Sequence, residues 1–256
     1  MDAEELGGLV AWAMDLYEHG IITKEDLGGI ELEWGSVKAT CELLKKIAFK
    51  EGRAPAALAE GFRRAYEVFG EESKRYAFET HGCAAPTYDV RNRYGGMGLA
   101  AGTSHNGARM GSGLLSSLSE AATTCTFVMG PFTEIWGSQE EAIRTFLNAV
   151  CGWNLTMDDI NEIKLRNYYF NRCISLREGY QPSKDDDLPP RAFGEPITDK
   201  YGTTWVWDRE EYEGEKQRYY VRELKLTEAG LPPREEMKRL GLDFVIPVLD
   251  PMNAVG

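Results

Sequence analysis

The chain has 256 residues and a formal net charge of −12 at pH 7. With 43% hydrophobic and 27% charged residues, it has the composition of a globular protein that forms one large domain or two small ones. The acidic balance argues against nucleic acid as a partner, because a phosphate backbone attracts basic surfaces. No apolar run approaches the roughly 20 residues that span a bilayer, and the start MDAEELGG lacks the basic segment of a signal peptide. We therefore expect a cytoplasmic protein with no membrane partner.

Helical periodicity dominates the first 80 residues. Apolar residues at 3.6-residue spacing predict a helix that ends near Gly20, where Thr23 and Asp26 resemble a capping box. Gly35 and Ser36 precede a second predicted helix, and a third runs up to Gly70. The predicted inner faces of the second and third helices are Val37, Cys41, Leu44 and Ala48, then Leu58, Phe62, Ala65 and Phe69. On this face, core packing is the favoured interpretation of Cys41.

A glycine-rich loop interrupts the helical pattern between residues 88 and 113. Seven glycines fall between Tyr94 and Gly113, so the backbone there can adopt positive φ values and approach another group closely. Such a long loop in a compact domain indicates either disorder or a ligand site. Tyr88, Asp89 and Arg91 are expected to hold the start of the loop by an ion pair and hydrogen bonds.

More helices are predicted after this loop. Residues 114–127 have a helical pattern, Ser138 with Glu141 caps the next helix, and Thr156 with Asp159 caps a longer one. That longer helix has a heptad-like stripe consisting of Ile160, Ile163, Asn167, Phe170 and Ile174. Asn167 is predicted to be buried and satisfied by a hydrogen bond between helices.

The character of the chain changes at Tyr180. The acidic run 185–187 and the prolines after it predict an exposed turn, and a solvated charge run is favoured there over a cation site. The segment YGTTWVWD (201–208) predicts a strand, a short helix follows near 210–220, and Pro232 and Pro233 precede a last helix ending at Gly241. Trp205, Trp207, Tyr219 and Tyr220 suggest that this tail packs on the body of the protein or on another domain.

The five cysteines do not form a recognisable framework. They are odd in number, widely spaced and without a CxxC pair: Cys41, Cys83, Cys125, Cys151 and Cys173. This argues against a disulfide scaffold and against a self-contained zinc or iron–sulfur site. Any one of them could still be a single ligand to a site completed elsewhere.

Several strings, in order along the chain, resemble the tungsten- and molybdenum-dependent aldehyde ferredoxin oxidoreductases. They are AMDLYEHGIITKEDLGGIELEWG (13–35), FKEGRAPAALAEGFRRA (49–65), APTYDVRNRYGGMGLAAGTS (85–104), LNAVCGWNLTMDDINEIKLRNYYFNRCISLREGY (147–180) and DDDLPPRAF (185–193). Each string is weakly specific, and their collinear order carries the resemblance. The resemblance covers only the C-terminal part of the family. It implies that the β-rich pterin domain and the Cys-x2-Cys-x3-Cys motif are supplied elsewhere, so the chain is expected to be a fragment, a split-gene subunit or an isolated domain.

The resemblance also implies site residues. Asp2 matches the last aspartate of the family motif D-x-x-G-x-D, which hydrogen-bonds a pterin, although a helix N-terminal acid is an equally good interpretation. The motif D-x-x-G-x-C corresponds to residues 120–125, so Glu120 and Thr123 are implied pterin neighbours and Cys125 an iron–sulfur ligand. Glu120 is one methylene longer than aspartate, and Thr123 replaces glycine.

A further departure concerns proton transfer. The family pattern T-S-x-R-G-A-x-H corresponds to residues 103–110, where Met110 replaces the histidine expected near the metal. Methionine cannot transfer protons. His105 is the remaining catalytic candidate, and a surface histidine is at least as good an interpretation. This departure leaves room for another substrate, such as that of a benzoyl-CoA-reductase-type tungsten subunit.

We therefore predict a mainly α, multi-helix fold of the family's C-terminal domain type, with the long glycine-rich loop and a C-terminal arm carrying a short strand or hairpin. The expected domains are 1–80, a helical segment, and 81–256, a helical domain with the loop 88–113 and the tail 180–256. The resemblance implies an aldehyde-oxidising enzyme with a tungsten or molybdenum bis-pyranopterin and a 4Fe-4S cluster, which passes electrons to ferredoxin or another subunit. The isolated chain is expected to be inactive. A cofactor-free helical interaction subunit is the alternative, and homo-oligomer formation stays open.

Overall fold

A computed structural model describes residues 2–85, 88–92, 97–105 and 113–256. The described chain is mainly helical, which confirms the predicted fold class. Its longer helices are α1 (Ala3–Glu18), α2 (Val37–Phe49), α3 (Arg53–Leu58), α4 (Phe62–Phe69), α5 (Met97–Gly102), α6 (Leu114–Ala121), α9 (Gln139–Cys151), α10 (Met157–Arg177), α13 (Arg209–Arg222) and α14 (Arg234–Arg239). The helices of one turn are α7 (Thr126–Met129), α8 (Thr133–Trp136), α11 (Pro182–Asp185), α12 (Arg191–Gly194) and α15 (Ile246–Leu249). Short 3-10 turns occupy Glu71–Tyr76, Gly130–Phe132, Asp243–Val245 and Asp250–Met252.

Two small antiparallel hairpins complete the described secondary structure. Strands β1 (Glu79–Thr80) and β2 (Cys83–Ala84) pair with Glu79 opposite Ala84. Strands β3 (Ile197–Thr198) and β4 (Thr204–Trp205) pair with Ile197 opposite Trp205. The second hairpin lies in the tail, and β4 falls inside the segment predicted as a strand.

Local sequence signals placed the starts of α2, α9 and α10 correctly, whereas Thr23 and Asp26 lie at a turn and start no helix. The side chains of Ser36 and Ser138 accept hydrogen bonds from the backbone three residues later. At α10, Thr156 and Asp159 form a complete capping box. Each such cap satisfies backbone donors that the first helical turn leaves without partners.

The described chain divides into two compact units. The first contains residues 2–85, 88–92, 97–102 and 187–209, and the second contains 103–105, 113–186 and 210–256. This division differs from the expected boundary near residue 80. That domain assignment stays a prediction, since compactness alone does not decide it.

The core of the first unit is built around Trp12 of α1. The Trp12 ring packs against Phe62, Tyr66 and Phe69, with ring centroids 4.9, 5.3 and 5.6 Å away. Its indole N–H donates to the backbone oxygen of Ser73 at 2.9 Å. The side chain is 2% exposed, so the ring holds α1, α4 and the following 3-10 turn in one apolar cluster.

Two predictions in this unit are wrong. The buried face of α2 is Ala39, Leu43 and Ile47, whereas Val37 is 75% exposed and Cys41 lies at the surface. Cys41 is therefore not a core residue. The predicted third helix is two helices, α3 and α4, which are separated at Gly61 with a φ of 81°. That left-handed conformation cannot continue an α-helix.

The core of the second unit surrounds α10. Leu165, Tyr168, Tyr169, Cys173 and Leu176 face inward and pack with residues of the tail. The predicted stripe on α10 is correct only at its start, because Ile160 is buried while Phe170 and Ile174 are 39% and 38% exposed. Tail residues Tyr220, Leu224, Leu226, Met237, Leu240 and Leu249 belong to this core. Residues 210–256 of the tail therefore pack into the second unit, as Tyr219 and Tyr220 suggested, whereas residues 187–209, with Trp205 and Trp207, belong to the first unit.

Among the described residues, no helix has the length and the apolar composition that crossing a bilayer requires.

Candidate functional site

The end of α6 forms a tight turn that leads to Cys125. The helix ends at Ala121, and the N–H groups of Thr123 and Thr124 donate to Glu120 O at 3.0 Å and Ser119 O at 2.8 Å. Thr123 adopts φ = 51° in this turn. Because Cβ crowds the backbone in the left-handed region, a β-branched residue is unusual there and glycine is favoured. This conformation favours the glycine that the family motif has at this position, and Thr123 adopts it at a steric cost.

Glu120 lies at the surface on the side of α6 that faces α10. Its Oε2 accepts hydrogen bonds from the side-chain amides of Asn167 at 3.3 Å and Asn171 at 3.2 Å. Asn167 also donates to the backbone oxygen of Ser117 at 2.9 Å, which confirms the predicted hydrogen bond between helices. Partial burial raises the pKa of the Glu120 carboxyl, and the Asn167 amide opposes that shift. The two amides orient a carboxylate that can accept hydrogen bonds from the N–H groups of a pterin.

Cys125 follows this turn and is exposed. Phe127 and Val128, two and three residues later in the chain, are 67% and 56% exposed. The described residues contain no group of three or more His, Cys, Asp or Glu side chains that could hold a metal ion. The described chain thus offers one exposed thiol at this position, which fits a cluster only if the other ligands come from elsewhere.

Asp2 belongs to the first unit and caps α1. Its side chain accepts a hydrogen bond from the Glu5 N–H at 2.9 Å. The helix-cap interpretation is therefore seen directly. Asp2 and Glu5 also line a cleft of about 250 Å³, which has apolar walls including Leu6 and Leu9.

His105 is held by α10 of the second unit. Its ring lies edge-on to Tyr168 with centroids 5.3 Å apart, and its backbone oxygen accepts a hydrogen bond from the Ser175 hydroxyl at 3.1 Å. The side chain is half-buried. Residues 93–96 and 106–112 of the glycine-rich loop, which include Met110, lie outside the described residues, whereas Met97–Gly102 within the predicted loop form α5. At the start of the loop, the ion pair between Asp89 and Arg91 is formed as predicted.

The structure also contains a buried ionic cluster that the sequence reasoning missed. Arg172 of α10 forms an ion pair with Asp186 at 2.5 Å, and both side chains are fully buried. The hydroxyl groups of Tyr180 and Tyr220 donate to the Asp186 carboxylate. The prediction of a solvated charge run at 185–187 is therefore wrong at Asp186, because Arg172 supplies the charge that allows its burial.

Further hydrogen bonds connect Arg172 and Asp186 to other segments of the second unit. Arg172 donates to Gly230 O at 3.1 Å and to Thr103 O at 3.0 Å, and Lys216 donates to Asp186 O at 2.9 Å. Burial is the largest single influence on the pKa of Arg172 and lowers it, but the charge of Asp186, the neighbouring Tyr168 and Tyr180 and the hydrogen bond to Asp186 together hold that pKa well above its ordinary value. Burial and the neighbouring Asp186 both raise the pKa of Tyr180 and Tyr220. The cluster thus joins α10, residue 103, the acidic run and the tail. An arginine inside an otherwise apolar helix face was its only sequence signal.

Comparison with known proteins decides the family. The model of the family described as "Aldehyde ferredoxin oxidoreductase, domains 2 & 3" matches residues 1–117 and 112–242. The chain belongs to the aldehyde ferredoxin oxidoreductase family. This confirms the resemblance of the sequence motifs and assigns the chain to the part of the family that the motifs indicated.

Individual relatives of this family member agree with the assignment. The "Aliphatic sulfonate oxidoreductase, WOR-like subunit" of Pyrococcus furiosus is 33% identical, over 94% of this chain and 40% of the relative. A tungsten-containing aldehyde ferredoxin oxidoreductase of Pyrococcus abyssi is 29% identical, over 96% of this chain and 44% of the relative. The chain thus spans about two fifths of the length of these relatives.

A solved structure has the same fold. The active-site complex BamBC of benzoyl coenzyme A reductase, determined with 1,5-dienoyl-CoA, superimposes with a TM-score of 0.63 at 15% identity. The match covers 99% of this chain and 46% of that structure. At this identity the likeness establishes the fold alone.

The left-handed Thr123 predicts a stabilising substitution. Thr123→Gly removes the steric conflict of Cβ, which should raise the free energy of unfolding by about 1–2 kcal/mol. The greater freedom of glycine in the unfolded chain should lower it by about 0.5–1 kcal/mol. We expect a net increase in the free energy of unfolding of about 0.5–1 kcal/mol, measured by urea denaturation. Thr123→Ala is the control, because it keeps Cβ and should not be stabilised. A destabilised glycine variant would contradict the left-handed conformation.

The cysteines are expected to differ in reactivity. Cys41, Cys125 and Cys151 are exposed, whereas Cys173 is buried and burial raises the pKa of its thiol to about 12. Thiolates are the reactive form, so a disulfide reagent at pH 8 should modify the three exposed thiols quickly and Cys173 only after unfolding. Mass spectrometry of the labelled peptides measures this. Modification of Cys173 in the native protein as fast as Cys41 would contradict the buried position.

Proposed function

We propose that this chain forms one wall of the cofactor pocket in a tungsten- or molybdenum-pterin oxidoreductase. The observation that carries the proposal is the turn at residues 120–125, which exposes the Cys125 thiol five residues after an oriented carboxylate, in the register of the family motif. Cys125 would bind a 4Fe-4S cluster whose other thiolates come from a further domain or subunit. Glu120, supported by Asn167 and Asn171, would accept hydrogen bonds from a pterin.

The chemistry belongs to the cofactor, which supplies two-electron oxidation of an aldehyde to a carboxylic acid and onward transfer of electrons. The residues of this chain would orient and cover the pterin and bind the cluster. Asp2 is the second proposed pterin contact, and its role as the cap of α1 would fix the direction of its carboxylate. The proposed electron acceptor is ferredoxin or a partner subunit, and His105 is the proposed proton-transfer candidate.

A second candidate function is a relative of this enzyme with a different substrate. Met110 stands where the family pattern has histidine, and the relative at 33% identity carries the name of an aliphatic sulfonate oxidoreductase. A benzoyl-CoA-reductase-type tungsten subunit is the other form of this candidate. The contrasting function is a cofactor-free helical interaction subunit.

Anaerobic purification with any associated polypeptide tests the proposal. We expect tungsten or molybdenum together with iron, and an electron paramagnetic resonance signal of a reduced cluster. Cys125→Ala should lose the cluster signal and iron, whereas Cys151→Ala, which replaces another exposed thiol of the second unit, should keep both. Unchanged iron in Cys125→Ala would refute the ligand assignment. A metal-free protein would favour the interaction subunit.

Activity assays separate the substrate classes. The purified assembly would be supplied with an artificial electron acceptor and, in separate reactions, an aliphatic aldehyde, an aromatic aldehyde or an aliphatic sulfonate. Reduction of the acceptor by aldehydes supports aldehyde oxidation. Reduction by the sulfonate alone would favour the second candidate function.

A further inference from the structure

One face of α10 borders an open groove in the second unit. Ile163, Arg166, Asn167 and Phe170 have the spacing of a single helix face. Together with Leu242 and Phe244 they line a groove of about 390 Å³, which we call the Phe244 groove. This volume lies within the range of about 300–1,000 Å³ that small-molecule sites occupy.

The groove presents two uncovered aromatic rings. Phe170 and Phe244 are 39% and 61% exposed, and their ring centroids are 6.4 Å apart with the planes tilted by 45°. The apolar residues Ile163 and Leu242 lie beside them. A ligand ring placed against these two rings would remove apolar surface from water and make favourable tilted aromatic contacts. The groove therefore suits an aromatic group rather than a fully polar one.

Arg166 adds a positive charge to this apolar groove. The residue is exposed, and within the described part of the chain it forms no ion pair. Glu162, one turn earlier on α10, pairs instead with Arg239 at 2.5 Å. A guanidinium group in this position can bind a carboxylate through two parallel hydrogen bonds.

We propose that the Phe244 groove binds an aromatic monocarboxylate. The aromatic ring would lie against Phe170 and Phe244, and the carboxylate would pair with Arg166. Arg166 and Phe170 are four residues apart, so their side chains lie on the same side of α10 about one turn from each other. This separation matches the few ångströms between the ring and the carboxylate of a small aromatic acid.

Binding of an aromatic carboxylate depends on the residues of the Phe244 groove and does not depend on the proposed function. Asn167 contacts both the groove and Glu120, so the two sites are neighbours. Binding of a carboxylate needs no metal, pterin or partner chain. A failure of one proposal therefore leaves the other testable.

Ligand-observed NMR of the complete 256-residue chain tests the proposal, with benzoate as the probe and benzyl alcohol as its uncharged counterpart. A ligand of this size is expected to bind with a dissociation constant of about 1 mM. Benzoate should bind at least about tenfold more tightly than benzyl alcohol, because a hydrogen bond to a charged group contributes about 1.5–3 kcal/mol. Equal affinity for the two probes would overturn the proposal.

Four variants locate the binding. Arg166→Met keeps the aliphatic stem and should weaken benzoate about tenfold or more without affecting benzyl alcohol. Arg166→Lys should weaken benzoate less, and Phe244→Ala should weaken both probes. Arg222→Met, an exposed arginine on α13 that does not line the groove, is the matched control and should bind benzoate like the native chain.

Three outcomes of these binding measurements would overturn the proposal. If the groove anchors an apolar side chain of another protein surface, both probes will bind equally and Arg166→Met will change neither. If benzoate binds elsewhere, Arg166→Met and Phe244→Ala will leave its affinity unchanged. Absence of benzoate binding at concentrations of tens of millimolar, roughly ten times the expected constant, also refutes the proposal. Thermal unfolding of each variant confirms that the exposed substitutions leave the fold intact.

Discussion

Replacing Arg172 by methionine should lower the free energy of unfolding of the second unit by about 3–5 kcal/mol, because it leaves Asp186 buried without a counter-charge. Methionine has a similar length and fills most of the space, so loss of packing is a small part of the effect. The same substitution also removes the hydrogen bonds to the backbone oxygens of Thr103 and Gly230. Urea denaturation followed by far-UV circular dichroism measures the change.

The matched control for this variant is Arg177→Met on the same helix. Arg177 is exposed and pairs with the adjacent Glu178, and exposed pairs contribute at most about 1 kcal/mol. Asp186→Asn should also be strongly destabilising. Because Arg172 and Asp186 share one interaction, the double variant Arg172→Met with Asp186→Asn should lose less than the sum of the single losses. A loss below about 1 kcal/mol in Arg172→Met would contradict the buried cluster.

Replacing Trp12 by alanine should lower the free energy of unfolding of the first unit by about 3–5 kcal/mol. The ring is almost fully buried among Phe62, Tyr66 and Phe69, so its removal leaves a cavity that the surrounding rings cannot fill. Trp12→Phe should lower the free energy of unfolding less, by about 1–3 kcal/mol. The smaller ring fills much of the space, and its main effect is to leave the backbone oxygen of Ser73 without its donor. Urea denaturation measures both variants.

Trp34 provides the comparison for the Trp12 variants. Its side chain is 52% exposed, and its indole N–H donates to the carboxylate of Glu18 at the surface. Trp34→Ala should therefore change the stability by about 0.5 kcal/mol or less, as surface substitutions usually do. Equal losses for Trp12→Ala and Trp34→Ala would show that the Trp12 ring does not organise the core of the first unit.

The elements that sequence patterns predicted well are those with local causes. The starts of α9 and α10 depend on hydrogen bonds between residues three positions apart, which Ser138 and the pair of Thr156 and Asp159 make from their own segment. The family followed from the collinear order of motifs, which needs no spatial information. The hydrogen bond of Asn167 to α6 was also predicted, since a polar residue in an apolar stripe requires a partner.

Elements that depend on distant partners were predicted less well. The face of α2 was misassigned because apolar stripes on two sides of a short helix have similar periodicity. Only the burial of Leu43 and Ile47 in the core of the first unit selects one of them. Asp186 was assigned to a solvated run because its partner Arg172 is 14 residues away. The candidate site residues Asp2, Glu120, Thr123, Cys125 and His105 stay predictions, while their local geometry is now described.

The sequence by itself determined the helical class, the helix caps and the family, because these depend on composition, on short-range hydrogen bonds and on the order of motifs. Only the tertiary structure decided which charges are buried and which apolar faces are left open. The fully buried Asp186 and the half-exposed Phe170 show this most clearly. The free energy of burying a charge or exposing a ring is set by neighbours that the chain brings together only when it folds.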